Sequence, residues 1–201
     1  MTYDQQFGVS NRNVSLSGEA YFDVRKNKTP FIIQAGALKI KVLGTVFNVK
    51  SYPNEKTTET SLIEGRVEIT HDKRPDLKFT LKPNEKLIVA NNPDEVKEEA
   101  QLQREPKVML GAITITNDHT IIETSWVENK LVFQDESFAG LARRMERWYG
   151  VAISFSDEKL LHERLSGTIT TETVQQALEA LQMTTDFQFI IKSNQITISK
   201  H

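Results

Sequence analysis

Polar and apolar positions alternate from Val14 to about Ala90. In G-E-A-Y-F-D-V, Ala20, Phe22 and Val24 fall on one face and Glu19, Tyr21 and Asp23 on the other. The same two-residue period recurs in F-I-I-Q-A, L-K-I-K-V, T-V-F-N-V-K-S-Y, T-S-L-I-E, G-R-V-E-I-T, L-K-F-T-L and K-L-I-V-A. Runs of this length, rich in Val, Ile, Phe and Thr, are strands half-buried on a sheet. The breaks N-K-T-P, A-G-A, Y-P-N-E, K-R-P-D and K-P-N-E carry turn residues. No helical pattern intervenes, so the spacing predicts antiparallel strands in an all-β sandwich or roll over residues 1–92. L-S-G-E-A-Y-F-D-V and I-E-G-R-V-E-I-T echo each other, a glycine leading into a strand each time. Two copies predict equivalent turns, not a solenoid.

From Trp126 the period changes. Phe138, Leu141, Ala142, Met145, Trp148 and Tyr149 recur at helical spacing, with Arg143, Arg144 and Arg147 on the polar side. Asp135 or Ser137 caps the start and Gly150 the end. Val174, Ala177, Leu178 and Leu181 mark a second helix, with Thr171 or Thr173 near its start. Around them V-E-N-K-L-V-F, V-A-I-S-F, L-S-G-T-I-T, F-Q-F-I-I-K and Q-I-T-I-S-K read as strands, the last two joined at Ser193-Asn194. The order over 125–201 is β-α-β-β-α-β-β, a small α+β domain with its helices on one sheet face. The connecting segment, 93–124, opens on a polar stretch with two prolines that reads as a linker or short exposed helix. V-M-L-G-A-I-T-I-T and H-T-I-I-E-T in it can be strands, assigned to neither domain.

Composition narrows the function classes. In 201 residues, 38% are apolar and 26% charged, which suits packed cores rather than disorder. A net charge of −2, with both signs interleaved, gives no basic face for nucleic acid or phospholipid. The absence of cysteine excludes disulfides, thiolate metal sites and a cysteine nucleophile. The longest nearly apolar run, Val108 to Ile113, is six residues, against the ~20 that cross a bilayer. M-T-Y-D-Q-Q-F-G has neither the basic nor the apolar region of a signal peptide.

Candidate chemistry is sparse. His71, His119, His162 and His201 show no metal-ligand spacing and read as surface or turn residues. Gly44, in V-L-G-T-V-F-N-V-K-S-Y, lacks the second glycine and following helix of a phosphate loop, so a bulge or bend is expected there. The carboxylate pairs Glu19/Asp23 and Glu64/Glu68 read as solvated strand faces. Trp148 falls on the apolar helix stripe; Trp126 suits either a core or a sugar platform. The arginine cluster suits a solvated helix face or an acidic partner. No cofactor, metal or catalytic residue is expected, and the chain reads as a non-enzyme that binds other proteins. The alternatives are a carbohydrate-binding β-module with an accessory domain, and a glycosidase using a carboxylate pair.

The ordered set L-S-G-E-A-Y-F-D-V, P-F-I-I-Q-A, K-V-L-G-T-V-F-N-V-K-S-Y, S-L-I-E-G-R-V-E-I and L-K-P-N-E-K-L resembles the FecR family of anti-sigma regulators, in its Bacteroidetes form. W-V-E-N-K-L-V-F, L-A-R-R-M-E-R-W-Y-G-V and L-S-G-T-I-T resemble the C-terminal domain that follows, similar to the short secretin/TonB N-terminal (STN) fold. The resemblance implies an inner-membrane protein whose periplasmic part senses the signalling domain of an outer-membrane TonB-dependent transducer. A cytoplasmic segment would hold an extracytoplasmic-function sigma factor. That segment, a transmembrane helix and the first strands would precede Val14, so these residues are expected to be an N-terminally truncated periplasmic portion. Partner contact is expected by strand addition at Gln195–Lys200 or Leu165–Thr170, with Gln195, Thr197, Ser199, Arg143 and Arg147 as candidate contact residues.

Overall fold

The strand pattern of the first half closes into two sheets. The computed structural model describes residues 1–3, 7–8, 12–91 and 107–200. The chain divides into two compact units, Met1–Thr124 and Ser125–His201. The expected linker or short helix at 93–106 lies outside the described residues, as does His201.

Unit 1 contains β1 (Thr2–Tyr3), β2 (Asn13–Leu16), β3 (Gly18–Val24), β4 (Phe31–Ala35), β5 (Leu38–Val42), β6 (Thr45–Ser51), β7 (Thr57–Glu64), β8 (Val67–His71), β9 (Arg74–Leu81), β10 (Glu85–Ala90) and β11 (Val108–Ala112). One sheet has the order β1-β2-β4-β5-β8-β9 and the other β11-β10-β7-β6-β3. From β4 onward, successive hairpins alternate between them: β4–β5, β6–β7, β8–β9, β10–β11. Alternating residues such as Ile33, Ile40 and Ile69 in the first sheet and Phe47, Leu62 and Leu87 in the second are fully buried in one shared core. Phe22 stacks on Phe47 at 5.1 Å between ring centroids.

Two details differ from the sequence reading, and one assignment left open there is filled. β2 and β4 pair in parallel, not antiparallel, because the chain leaves for the other sheet as β3 and returns. K-R-P-D is not a turn: β9 begins at Arg74, and Pro75 and Asp76 lie in it. Proline is tolerated there because β9 is an edge strand. V-M-L-G-A becomes β11, paired with β10.

Two corners where the chain changes sheet cross at backbone contact. Gly44 joins β5 to β6, and Gly65, at φ +91°, joins β7 to β8. A Cβ on Gly65 would lie 2.7 Å from the Gly44 carbonyl oxygen, and a Cβ on Gly44 would lie 2.7 Å from the Lys26 Cα. Only hydrogen fits either position. Thr45 Oγ1 donates to the Arg66 carbonyl at 3.0 Å, tying the corners together. Gly44 is thus a bend, and what approaches it is the protein's own backbone.

Unit 2 contains β12 (Leu131–Ser137), α1 (Phe138–Tyr149), β13 (Ala152–Phe155), a 3-10 turn (Glu158–His162), β14 (Arg164–Ile169), α2 (Val174–Gln182), β15 (Gln188–Lys192) and β16 (Gln195–Ser199). Ser137 caps α1 by accepting from the Gly140 N–H at 3.2 Å, and Gly150 closes it at φ 67°. Thr173 and Gln176 form a reciprocal capping box on α2. The strands make two small sheets rather than the single one expected: β12 pairs with β14, while β16 lies between β13 and β15. Phe138, at the start of α1, meets Phe155 and Phe187 at 5.0 and 5.1 Å in a core completed by Leu141, Met145, Leu178 and Ile196.

Candidate functional site

The expected contact residues separate into two surfaces of unit 2. On β16, Ile196 and Ile198 point into the core and are fully buried. The pleat therefore turns Gln195, Thr197 and Ser199 to the opposite face, where Gln195 and Thr197 are exposed and Ser199 half-buried. Thr197 stands opposite Ser154 on β13 and Ile190 on β15, and Ile190 is 60% exposed. This makes a small polar sheet face with one apolar side chain at its centre.

The edge expected at Gln195–Lys200 is not an edge. β16 pairs in parallel with β13 and antiparallel with β15, so both its ladders are filled. Leu165–Thr170 fits better: among the described residues β14 has a strand partner on one side only, β12. A bulge marks that ribbon. Asp135 sits there at φ +48°, donates its N–H to Ser166 Oγ at 2.9 Å, and accepts from Arg164 Nε at 2.9 Å. The Arg164 hydrogen bond holds the Asp135 carboxyl below its ordinary range. Asp135, one of two expected caps for α1, is therefore the bulge residue and Ser137 the cap.

The arginines lie on the solvent side of α1, away from the helix face that packs on the core. Arg143 is exposed, whereas Arg144 is tied to Glu136 at 2.6 Å. Arg147 is half-buried at the last turn. Trp148 and Tyr149 pack against the core, and the Tyr149 hydroxyl donates to the Glu172 carbonyl at 2.9 Å. Trp126 lies in a 3-10 turn, half-buried, with an indole N–H that is buried and has no partner among the described residues.

One carboxylate of each expected pair is engaged structurally. Glu19 accepts from Asn48 Nδ2 at 2.9 Å, and Glu68 faces Lys41 and Lys78 at 3.9 Å each. Among the described residues no three His, Asp or Glu converge as metal ligands. His71 departs from the expected surface or turn role: it is buried at the end of β8, and its Nδ1 accepts from the Lys73 N–H at 3.1 Å. Depressions of about 480, 320 and 200 Å³ on unit 1 have no more than one carboxylate, Glu68, in any lining. The last of these opens beside Gly44 and Leu43.

A polar cluster escaped sequence reading because its members are far apart in the chain. Lys86 Nζ donates to Glu123 Oε1 at 2.7 Å, and the same carboxylate accepts from the Thr114 N–H at 3.0 Å. Burial works against the Lys86 charge, but Glu123 and Glu59 outweigh it and raise its pKa. Burial raises the carboxyl of Glu59, against Lys86 and Lys50. Glu59 stands across from Lys50 on β6 and Ile88 on β10. The cluster ties residues 114–123 to the five-stranded sheet.

Residues 1–68 match the model of the family described as FecR protein, and residues 130–198 match the one described as FecR, C-terminal. The chain belongs to the FecR family. The two FecR matches fall one on each unit, in chain order. The chain is also similar to two crystal structures described as candidate anti-sigma factors from Parabacteroides distasonis ATCC 8503. The first, at 1.65 Å resolution, is 24% identical with a TM-score of 0.79, covering 100% of this chain and 85% of that one. The second, at 2.50 Å, is 25% identical with a TM-score of 0.77, covering 99% and 84%. No curated relative matches the chain. No described helix is long and apolar enough to cross a membrane.

Proposed function

We propose that this FecR-family chain is the sensing portion of an anti-sigma factor. In this reading it lies in the periplasm. Unit 2, taken as STN-like, contacts the signalling domain of an outer-membrane TonB-dependent transducer. Occupancy of the transducer is relayed through a membrane helix and a cytoplasmic segment, both outside these residues, to an extracytoplasmic-function sigma factor. The observation that carries the reading is the ordered pair of FecR matches, one on each unit. The site supports it in kind: unit 2 offers a polar sheet face around Ile190, a bulged ribbon in which β14 has one strand partner among the described residues, and the exposed Arg143, all suited to protein contact rather than chemistry.

Two contact modes are available. A transducer strand can add to β14, or a surface can dock on the face formed by Gln195, Thr197 and Ser199, with Arg143 and Arg147 serving an acidic partner on the helix side. Titrating this chain with transducer signalling domains from the same organism tests the reading. One of them should bind, and Arg143→Glu, Thr197→Lys or a proline at Ser166 should weaken it at least tenfold. Binding of oligosaccharides in place of any signalling domain would return the protein to the carbohydrate-binding class.

A further inference from the structure

The sheet edges of unit 1 are guarded unevenly. β9, one edge of the six-stranded sheet, carries Arg74, Pro75, Asp76 and Lys78. β3, one edge of the five-stranded sheet, carries Glu19 and Asp23. Charges and proline at an edge keep it from adding further strands. β11, the other edge of the five-stranded sheet, reads V-M-L-G-A, with neither a charge nor a proline. Met109 and Leu110 are 65% and 60% exposed, and the pleat sends them to opposite faces. Gly111 has nothing within 4 Å of the position its Cβ would take.

The ladder fixes which backbone groups point outward. The Ala90 N–H donates to the Lys107 carbonyl, and the Ile113 N–H donates to the Asn84 carbonyl. With the register Leu87 opposite Leu110, alternation assigns residues 107, 109, 111 and 113 to the bonds with β10. Val108, Leu110 and Ala112 therefore turn their N–H and C=O away from the sheet.

We infer that β11 is a pairing edge for a second copy of this chain, joined antiparallel about a two-fold axis near Leu110. A strand that pairs here has to be uncharged and apolar toward both faces, and β11 itself meets that condition. Self-pairing sets Leu110 against Leu110 and Val108 against Ala112, with no like charges opposed. Pairing β9 with itself would put Pro75, which has no N–H, and three charged side chains into the new ladder. The two five-stranded sheets would run on as one. A contact of one short strand is small, so the dimer is weak and concentration-dependent. This inference stands independently of the transducer reading.

Sedimentation equilibrium of the whole chain tests it. The mass should rise from 22.9 kDa toward twice that value as concentration climbs from about 10 μM to about 1 mM, the range in which a weak complex forms. Leu110→Pro removes an outward N–H and spares the bonds to β10; Leu110→Lys adds a charge at an exposed position that leaves folding intact. Both should stay monomeric. Because the protein has no cysteine, Leu110→Cys provides a clean probe: it should form a disulfide-linked dimer on mild oxidation, and Lys78→Cys on β9 should not. The inference is overturned if the wild type stays monomeric throughout, if Leu110→Lys dimerises as well as the wild type, or if Lys78→Cys crosslinks as fast as Leu110→Cys.

Discussion

The two units reach their folds by different means. Unit 1 packs two sheets face to face, and its most constrained points are backbone crossings: Gly44 against Lys26, and Gly65 against Gly44. Unit 2 folds short strands around two capped helices, and its most constrained point is a cluster of aromatic rings about Phe138. A sheet that switches partners at corners depends on what is missing at those corners. A small helical layer depends on what fills its centre. Both cores depend on what fills them, Phe47 in unit 1 and Phe138 in unit 2; the difference lies at the glycines, where an added atom meets backbone at Gly44 and Gly65 in unit 1 but only the Phe133 ring at Gly167 in unit 2.

The largest test of this contrast is Phe138→Ala. Emptying the centre of unit 2 should cost about 3–5 kcal/mol, read by urea unfolding, and unit 1 should keep its own transition. A single shared transition that shifts as a whole would break the contrast. Gly44→Val comes next. Its Cβ would press on the Lys26 backbone, so a loss of about 3 kcal/mol is expected in unit 1 alone; an unchanged melting temperature would remove the corner from the account. Gly65→Ala should behave alike, since it adds backbone strain at positive φ to the same crowding.

Thr173→Ala breaks the α2 capping box and should cost unit 2 about 1 kcal/mol, with Thr173→Ser restoring most of it. The smallest effect concerns His71. Burial holds its imidazole below the ordinary value of 6.5, with Asp72 opposing and Lys73 adding to the shift. As pH falls the unfolded chain takes up the proton first. Stability is therefore full above the unfolded value and is lost as pH drops toward the folded one. As pH falls through the ordinary imidazole range the wild type should lose more stability than His71→Asn, whose side-chain oxygen can still accept from the Lys73 N–H. Parallel pH profiles for the two proteins would show that His71 does not titrate against folding.

Local features were legible in the sequence wherever a short-range rule governs them. Alternation located the strands from β2 to β10, because one face of each is buried in the shared core. Helical spacing located α1 and α2. The choice between Asp135 and Ser137 was open, since both side chains can accept from a helix N-terminus; the bulge that engages Asp135 depends on Arg164 and Ser166, some thirty residues on. Sheet order was not legible. β16 reads as an ordinary final hairpin strand, and nothing near it announces the parallel pairing with β13. The same limit applied to the candidate site: the residue types on β16 were legible as an alternating face, but the strand's place between two neighbours was not. K-R-P-D misled for the opposite reason. Its residues favour turns, yet an edge strand accommodates them.

The position of β16 also has a mechanical side. A pull along residues 195–199 loads two ladders at once, with β13 and β15 resisting in shear. A pull that lifts β14 away from β12 opens one ladder, already interrupted at the bulge, bond by bond. Unit 2 therefore has a stiff strand and a peelable one. Load taken up on β16 is shared by two ladders and carried into the core, while load taken up on β14 is released at the ribbon.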